Sequence, residues 1–268
     1  MPPVGEVFSH YAGLQLTRLI YRSLTGERHD FSAIAIIGRA GTGKSTYMYN
    51  SAKVAYMLYL CNSLHVKSEE CLAYIAKKYG PVCFGKHCRE PDAIDRRLAD
   101  YVFVGEEDVE RLGKALREAA STGSTLPLLV LDDLMLKGLY RLGGSYARVA
   151  YLFKKLLQFR RAFAGITLMT AIDRRMIFDE FKRDVILIEA HADSNYRYVR
   201  WGIVKAPVVV RYANGLLKTY KPALRKMWED EIPKDSAYAM PEWLEEAINR
   251  RKRTIVLEVL KKAEEHPA

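Results

Sequence analysis

The chain has 268 residues, 49% of them hydrophobic, which is enough to bury a full core and excludes a disordered polyanion or polycation. No apolar run approaches the ~20 residues that span a bilayer, and Met1–His10 lacks the charged start and apolar centre of a secretion signal, so a cytoplasmic protein with no membrane partner is expected. Forty-two Lys and Arg stand against 32 Asp and Glu, a formal net charge of +10 that favours a polyanionic partner, nucleic acid first among them.

Residues 1–30 read as a lead-in helix: in Val7–Leu24 the apolar Leu14, Leu16, Leu19, Ile20 and Leu24 fall near helical spacing, and Gly26 ends the run. From 31 to 192 the pattern alternates, with strands over 32–37, 101–104, 127–132, 165–170 and 185–190 and helices over 45–63, 106–120, 146–162 and 173–182. Ala33–Ile37, Leu128–Leu131, Gly165–Met169 and Val185–Ile188 are nearly continuous apolar runs, as strands covered on both faces should be. The expected fold is α/β, a five-stranded parallel sheet flanked by helices, followed over 193–268 by a C-terminal β-hairpin and helix.

Directly after the first strand stands Gly38-Arg39-Ala40-Gly41-Thr42-Gly43-Lys44-Ser45, which fits the G-x-x-x-x-G-K-[ST] phosphate-binding loop in its required strand-to-helix context. The glycines let backbone N–H groups wrap the β-phosphate at a positively polarised helix N-terminus, and Lys44 reaches the β- and γ-phosphates. Ser45 supplies a Mg²⁺ ligand, and Thr46 completes the cofactor-binding set. The cofactors expected are thus ATP and Mg²⁺.

An insertion over 64–100 follows the loop's helix. All four cysteines lie between Cys61 and Cys88, with His65 and His87 among them. Three states stay open: buried free thiols, which base rates favour, disulfides, or a Zn²⁺ site, for which the spacing does not reproduce paired C-x-x-C knuckles.

The strand Leu126–Leu131 ends in Asp132-Asp133 and reads as a Walker B strand. Asp132 would hold Mg²⁺ through water, and Asp133 would orient or partly deprotonate the attacking water. At the end of the next strand Thr170 is a candidate γ-phosphate sensor, with a plain strand end as the alternative. Arg174, Arg175 and Arg183 follow; one of them acting in trans would stabilise transition-state charge, against the alternative of a solvated basic face.

From Ser194 to Trp228 there are eight basic residues and no carboxylate, with Tyr196, Tyr198, Trp201, Tyr212 and Tyr220 interleaved. Cations neutralise phosphates and aromatic faces stack on bases, so Arg197, Arg200, Lys205, Arg211 and Lys218 form the candidate nucleic-acid surface. The alternative is an ordinary strand pattern with aromatics inward and cations in water. Asn214-Gly215 between Val208–Tyr212 and Leu216–Tyr220 signals the hairpin. Basic faces on the helices over 146–163 and after Pro241 are compatible with partner, DNA or solvent contact.

Taken together, the loop Gly38–Ser45, the Asp132-Asp133 strand, Thr170 and the following arginines resemble the AAA+ ATPases over roughly residues 31–190. Within them the Asp-Asp ending, the Tyr101–Glu107 passage and the short basic chain look most like DnaA-type initiators and DnaC-type helicase loaders, including small stand-alone relatives of archaeal viruses and plasmids. The resemblance implies an ATP-hydrolysing protein that assembles as a ring or filament on DNA, acting in replication initiation, helicase loading or remodelling of protein on DNA, with a helicase or other replication protein as a further partner. The sequence departs from that pattern in lacking an all-helical lid with a second sensor arginine. A translocating or genome-packaging motor and a non-catalytic, nucleotide-switched DNA-binding adaptor therefore stand as alternatives.

Overall fold

The computed structural model describes residues 2–26, 32–104, 109–124, 126–132, 164–172, 185–192, 197–205, 211–213, 216–218, 224–250, 253 and 257. It opens with two helices where the periodicity predicts one: α1 (Val4–Gly13) and α2 (Gln15–Leu24), broken at an extended Leu14. The break is set by tertiary contact. The buried Asp230 carboxylate accepts the Gln15 N–H at 2.9 Å and the Leu16 N–H at 3.1 Å, so it caps α2 from the far end of the chain and complements its positive pole.

Strand β1 (Ser32–Ile37) leads through the glycine loop into α3 (Lys44–Ser63), followed by α4 (Cys71–Tyr79) and α5 (Ala93–Ala99). Next come β2 (Val102–Val104), α6 (Val109–Thr122), β3 (Leu126–Asp132), β4 (Ala164–Ala171) and β5 (Val185–Ala192). The chain continues through β6 (Arg197–Lys205), β7 (Arg211–Ala213), β8 (Leu216–Lys218) and β9 (Leu224–Pro233). A single 3₁₀ turn (Ser236–Tyr238) and a helix α7 over 242–250 follow. The expected helices over 146–162 and 173–182 lie outside the described residues.

The main sheet has the order β2-β3-β4-β1-β5-β6-β9, parallel from β2 to β5 and antiparallel from β5 onward. Helices α2 and α3 pack on one face, over Ile34, Ile36, Val130, Leu168 and Ile188, and α1 packs against both helices. Residues of opposite parity, Ala35, Leu129, Leu131 and Met169, are buried as well, which is why these strands are apolar without alternation. The C-terminal part departs from the single expected hairpin. β7 and β8 pair antiparallel, Ala213 opposite Leu216, in a sheet of their own. The longer β6 and β9, not anticipated as partners, extend the main sheet, with a register shift between Gly202 and Ile203. The Glu229-Asp230-Glu231 run hides β9, because it reads as solvated charge although Asp230 is buried as a cap.

The insertion is organised by a buried charge cluster. Lys53, fully buried on α3, lies 2.7 Å from Asp92 and 2.6 Å from Asp95, and donates to the Cys83 carbonyl at 2.8 Å. Asp92 caps α5 and also accepts the Cys83 N–H, while the Tyr49 hydroxyl donates to Asp95. Burial pushes the Asp95 carboxyl above the usual carboxylate range, and the Lys53 ammonium offsets only part of that shift. Burial likewise drives the Tyr49 hydroxyl pKa well up.

The free-thiol expectation is corrected here. Cys61 pairs with Cys71 and Cys83 with Cys88, at Cα separations of 5.7 and 5.9 Å. The end of α3 and the start of α4 bring the first pair together, a juxtaposition that spacing alone does not encode. Among the described residues, Cys83, His87 and Cys88 are the one group of three or more whose metal-ligating atoms cluster, within 4.8 Å of one another. Sulfurs bonded to each other are not thiolate ligands, so this group as it stands does not meet the needs of Zn²⁺.

Candidate phosphate and nucleotide site

The site begins with two glycines whose side-chain absence is structural. A Cβ on Gly38 would lie 2.5 Å from the Ala190 carbonyl oxygen of β5, so only glycine lets the chain leave β1 between its neighbours. Gly43, with φ of 76°, is left-handed and forms the N-cap of α3. Between them the loop is closed by its own contacts: the Gly38 N–H donates to the Ala171 carbonyl at 3.3 Å and the Thr42 hydroxyl to the Arg39 carbonyl at 2.9 Å. Arg39, Ala40 and Gly41 are exposed at the rim. Lys44 folds back over the loop and donates to the carbonyls of Gly38 at 2.8 Å and Arg39 at 3.0 Å. Its ammonium is therefore held beside the first turn of α3, where the helix dipole adds positive potential.

Strand order delivers the remaining groups. β4 lies between β1 and β3, so Asp132 at the end of β3 reaches Ser45 past Thr170 of β4. The Ser45 hydroxyl donates to Asp132 Oδ1 at 2.7 Å, and the buried Thr170 hydroxyl donates to the same oxygen at 2.6 Å. Asp132 Oδ2 is buried with no hydrogen-bond partner. A buried carboxylate oxygen without a donor is costly, and a cation is its natural complement. A hydroxyl and a carboxylate are hard oxygen donors of the kind Mg²⁺ accepts while keeping its own waters, so these residues fit that ion.

The structure thus brings together Gly38, Arg39, Ala40, Gly41, Thr42, Gly43, Lys44, Ser45, Thr46, Asp132 and Thr170. Asp133, Arg174 and Arg175 lie outside the described residues. Of the basic set, Arg197, Arg200 and Lys205 lie on β6, with register partners Pro233, Asp230 and Leu224, while Arg211 and Lys218 face each other in register across β7 and β8.

A cavity of about 470 Å³ opens from the loop, with Gly41, Gly43, Lys44, Ser45, Thr46 and Thr170 along one side. Its other side is made by residues that the site motifs do not include: Lys86 of the insertion, Pro233–Ser236 and Tyr238–Met240, and Glu245, Ile248 and Asn249 of α7. No local pattern marks them, since they meet the loop only through the tertiary fold. Nearby, the Asp230 carboxylate that caps α2 also accepts the Tyr47 hydroxyl at 2.5 Å, which ties the start of α3 to β9.

A glycine loop between a central parallel strand and a helix N-terminus, facing a carboxylate from a strand one removed, defines a phosphate-loop α/β domain. No family model matches the chain, and no curated protein matches its sequence. Among solved structures, a KaiC-like protein from the hyperthermophilic archaeon Pyrococcus horikoshii is similar at 16% identity and a TM-score of 0.29, over 72% of this chain and 89% of its own. The class assignment rests on the loop and sheet geometry. Among the described residues no helix is long and apolar enough to cross a membrane.

Proposed function

We propose that this chain is a Mg²⁺-dependent ATPase of the phosphate-loop type. One observation carries the reading: two hydroxyls, from Ser45 and Thr170, converge on one oxygen of Asp132 while its other oxygen is buried and unpartnered, beside the Lys44 ammonium and the N-terminus of α3. Bound Mg²⁺ would neutralise phosphate charge. Ser45 and Asp132 are the residues to hold it. The backbone of Gly38–Ser45 and the Lys44 ammonium bind and orient the phosphates, and Thr170 fixes the rotamer of Asp132. Asp133, next in the chain, is the proposed water-positioning residue, and Arg174 or Arg175 the proposed group acting in trans.

The finer reading couples turnover to assembly of this chain on DNA, as in initiators and loaders. Its support is the carboxylate-free basic stretch from Ser194 to Trp228 with its interleaved aromatics. The deciding experiment measures steady-state ATP hydrolysis over a range of protein concentrations without nucleic acid, with single-stranded DNA and with duplex DNA. Turnover that is abolished by Lys44→Ala and Asp132→Ala supports the ATPase. Steep dependence on protein concentration with DNA stimulation supports assembly on DNA, and turnover indifferent to DNA removes that part. Stoichiometric binding without turnover in all three conditions overturns hydrolysis and leaves a nucleotide-switched binding module.

A further inference from the structure

We propose that the cavity wall facing the phosphate loop, built from 233–249, is a nucleoside subsite that takes the base and ribose of the triphosphate. The inference rests on the nucleotide reading of the loop and adds the half of the ligand that the loop motif does not address.

Three observations carry it. The first is continuity: the wall and the glycine loop line one cavity of about 470 Å³, within the range of small-molecule sites, and Thr46 at the start of α3 lines it too. The second is chemistry. Met240 and Ile248 line the cavity with apolar side chains, and the polar or charged Ser236, Asn249, Lys86, Lys234, Asp235 and Glu245 line the same space. A nucleoside needs both kinds of surface, an apolar face for the flat base and polar groups for its edge and for the ribose hydroxyls. A carboxamide presents a donor and an acceptor side by side, the complement of an adenine edge.

The third observation is that the wall is braced from behind. The Tyr11 hydroxyl donates to the Tyr238 carbonyl at 2.7 Å, and Asn50 of α3 donates to the carbonyls of Tyr238 at 3.3 Å and Ala239 at 3.1 Å. Asp235 accepts the Ala237 N–H at 2.7 Å and so fixes the 3₁₀ turn. From the insertion, the Lys86 N–H donates to the Ser236 carbonyl at 2.9 Å, and Gly85 lies so close that a Cβ there would sit 2.5 Å from the same oxygen. Gly85 and Lys86 belong to the loop closed by Cys83–Cys88. Lys86 and Glu245, 3.4 Å apart, link that loop to α7 at the cavity. Backbone carbonyls tied to α1, α3 and a cross-linked loop give a surface whose shape is set before a ligand arrives, which lowers the entropic cost of binding.

The test measures binding of Mg·ATP and of Mg·tripolyphosphate to the full chain by titration calorimetry, for the wild type, Asn249→Ala and Met240→Ala. Asn249 is exposed, so its truncation leaves the fold intact. The expected result is a wild type that binds ATP at least about 10-fold tighter than tripolyphosphate, and variants that lose about 5- to 10-fold for ATP, the scale of one hydrogen bond or contact, with tripolyphosphate unchanged. ATP bound no tighter than tripolyphosphate by the wild type overturns the subsite alone and leaves the phosphate loop standing. Equal losses for both ligands in the variants also overturn it. Failure of both ligands to bind the wild type overturns the nucleotide reading beneath it.

Discussion

Replacing Lys53 by methionine tests whether the insertion is held by charge. Methionine keeps the unbranched stem and the packing on Phe84, whose ring centroid lies 5.1 Å from the ammonium, but removes the cation. Asp92 and Asp95 are then left facing each other in a buried site, and the Cys83 carbonyl loses its donor. Breaking a buried ion pair by removing one partner costs about 3–5 kcal/mol, a large part of the ~5–15 kcal/mol that holds a typical domain together. The loss carries a pH signature. Burial already raises the Asp95 carboxyl pKa, and without Lys53 that shift grows. A carboxyl raised in the folded state carries no penalty below its unfolded pKa, and the penalty builds as pH rises towards the folded value. Urea unfolding should therefore show Lys53→Met losing about 3–5 kcal/mol at pH 8 and clearly less at pH 5, and Lys53→Met with Asp95→Asn should recover part of the loss at pH 8. A loss under about 1 kcal/mol, the scale of an exposed pair, or an equal loss at both pH values, refutes the reasoning.

Other outcomes follow from the same geometry. Gly38→Ala, which puts a Cβ 2.5 Å from the Ala190 carbonyl, should cost about 1–3 kcal/mol by overpacking and abolish ATP binding, read by thermal melting with and without Mg·ATP. Thr170→Val should lose about 1.5–3 kcal/mol, the worth of a hydrogen bond to a charged group, in urea unfolding, whereas Thr170→Ser keeps the donor and most of the stability. Cys88→Ser opens a loop of sequence separation 5 and should cost about 2 kcal/mol in chain entropy. Because that loop holds Ser236, calorimetry should show ATP affinity falling more than tripolyphosphate affinity. Asp133→Asn should retain ATP binding and lose about 10²-fold or more in turnover.

The parts legible in the sequence are those that a short stretch determines. The glycine loop is set by residues within one turn of chain, and the parallel strands by apolar runs that need no partner to be recognised. Asp132 was legible for the same reason, as a carboxylate closing an apolar strand. What escaped is everything settled by a distant contact. Asp230 sits in an acidic run and looks solvated, yet it caps α2 and accepts from Tyr47. Lys53, in the middle of a helix, has its partners in the insertion. The spacings of Cys61, Cys71, Cys83 and Cys88 leave three chemistries open, with base rates favouring free thiols, and only the meeting of α3, α4 and the loop after α4 selects pairing. The cavity wall over 233–249 has no phosphate-loop signature because its side chains act through placement beside the loop.

The tie between Tyr47 and Asp230 has a consequence for the order in which the molecule becomes functional. Those two residues are 183 positions apart, and at ~5–20 residues per second of synthesis about 10–40 s separate their appearance. During that interval the glycine loop is already made, while the α2 cap, the bracing of Tyr238 and the far side of the cavity do not yet exist. A nascent chain thus has only half of its binding surface, and a shortened product ending before Asp230 keeps a flawless phosphate loop motif but cannot build the site around it.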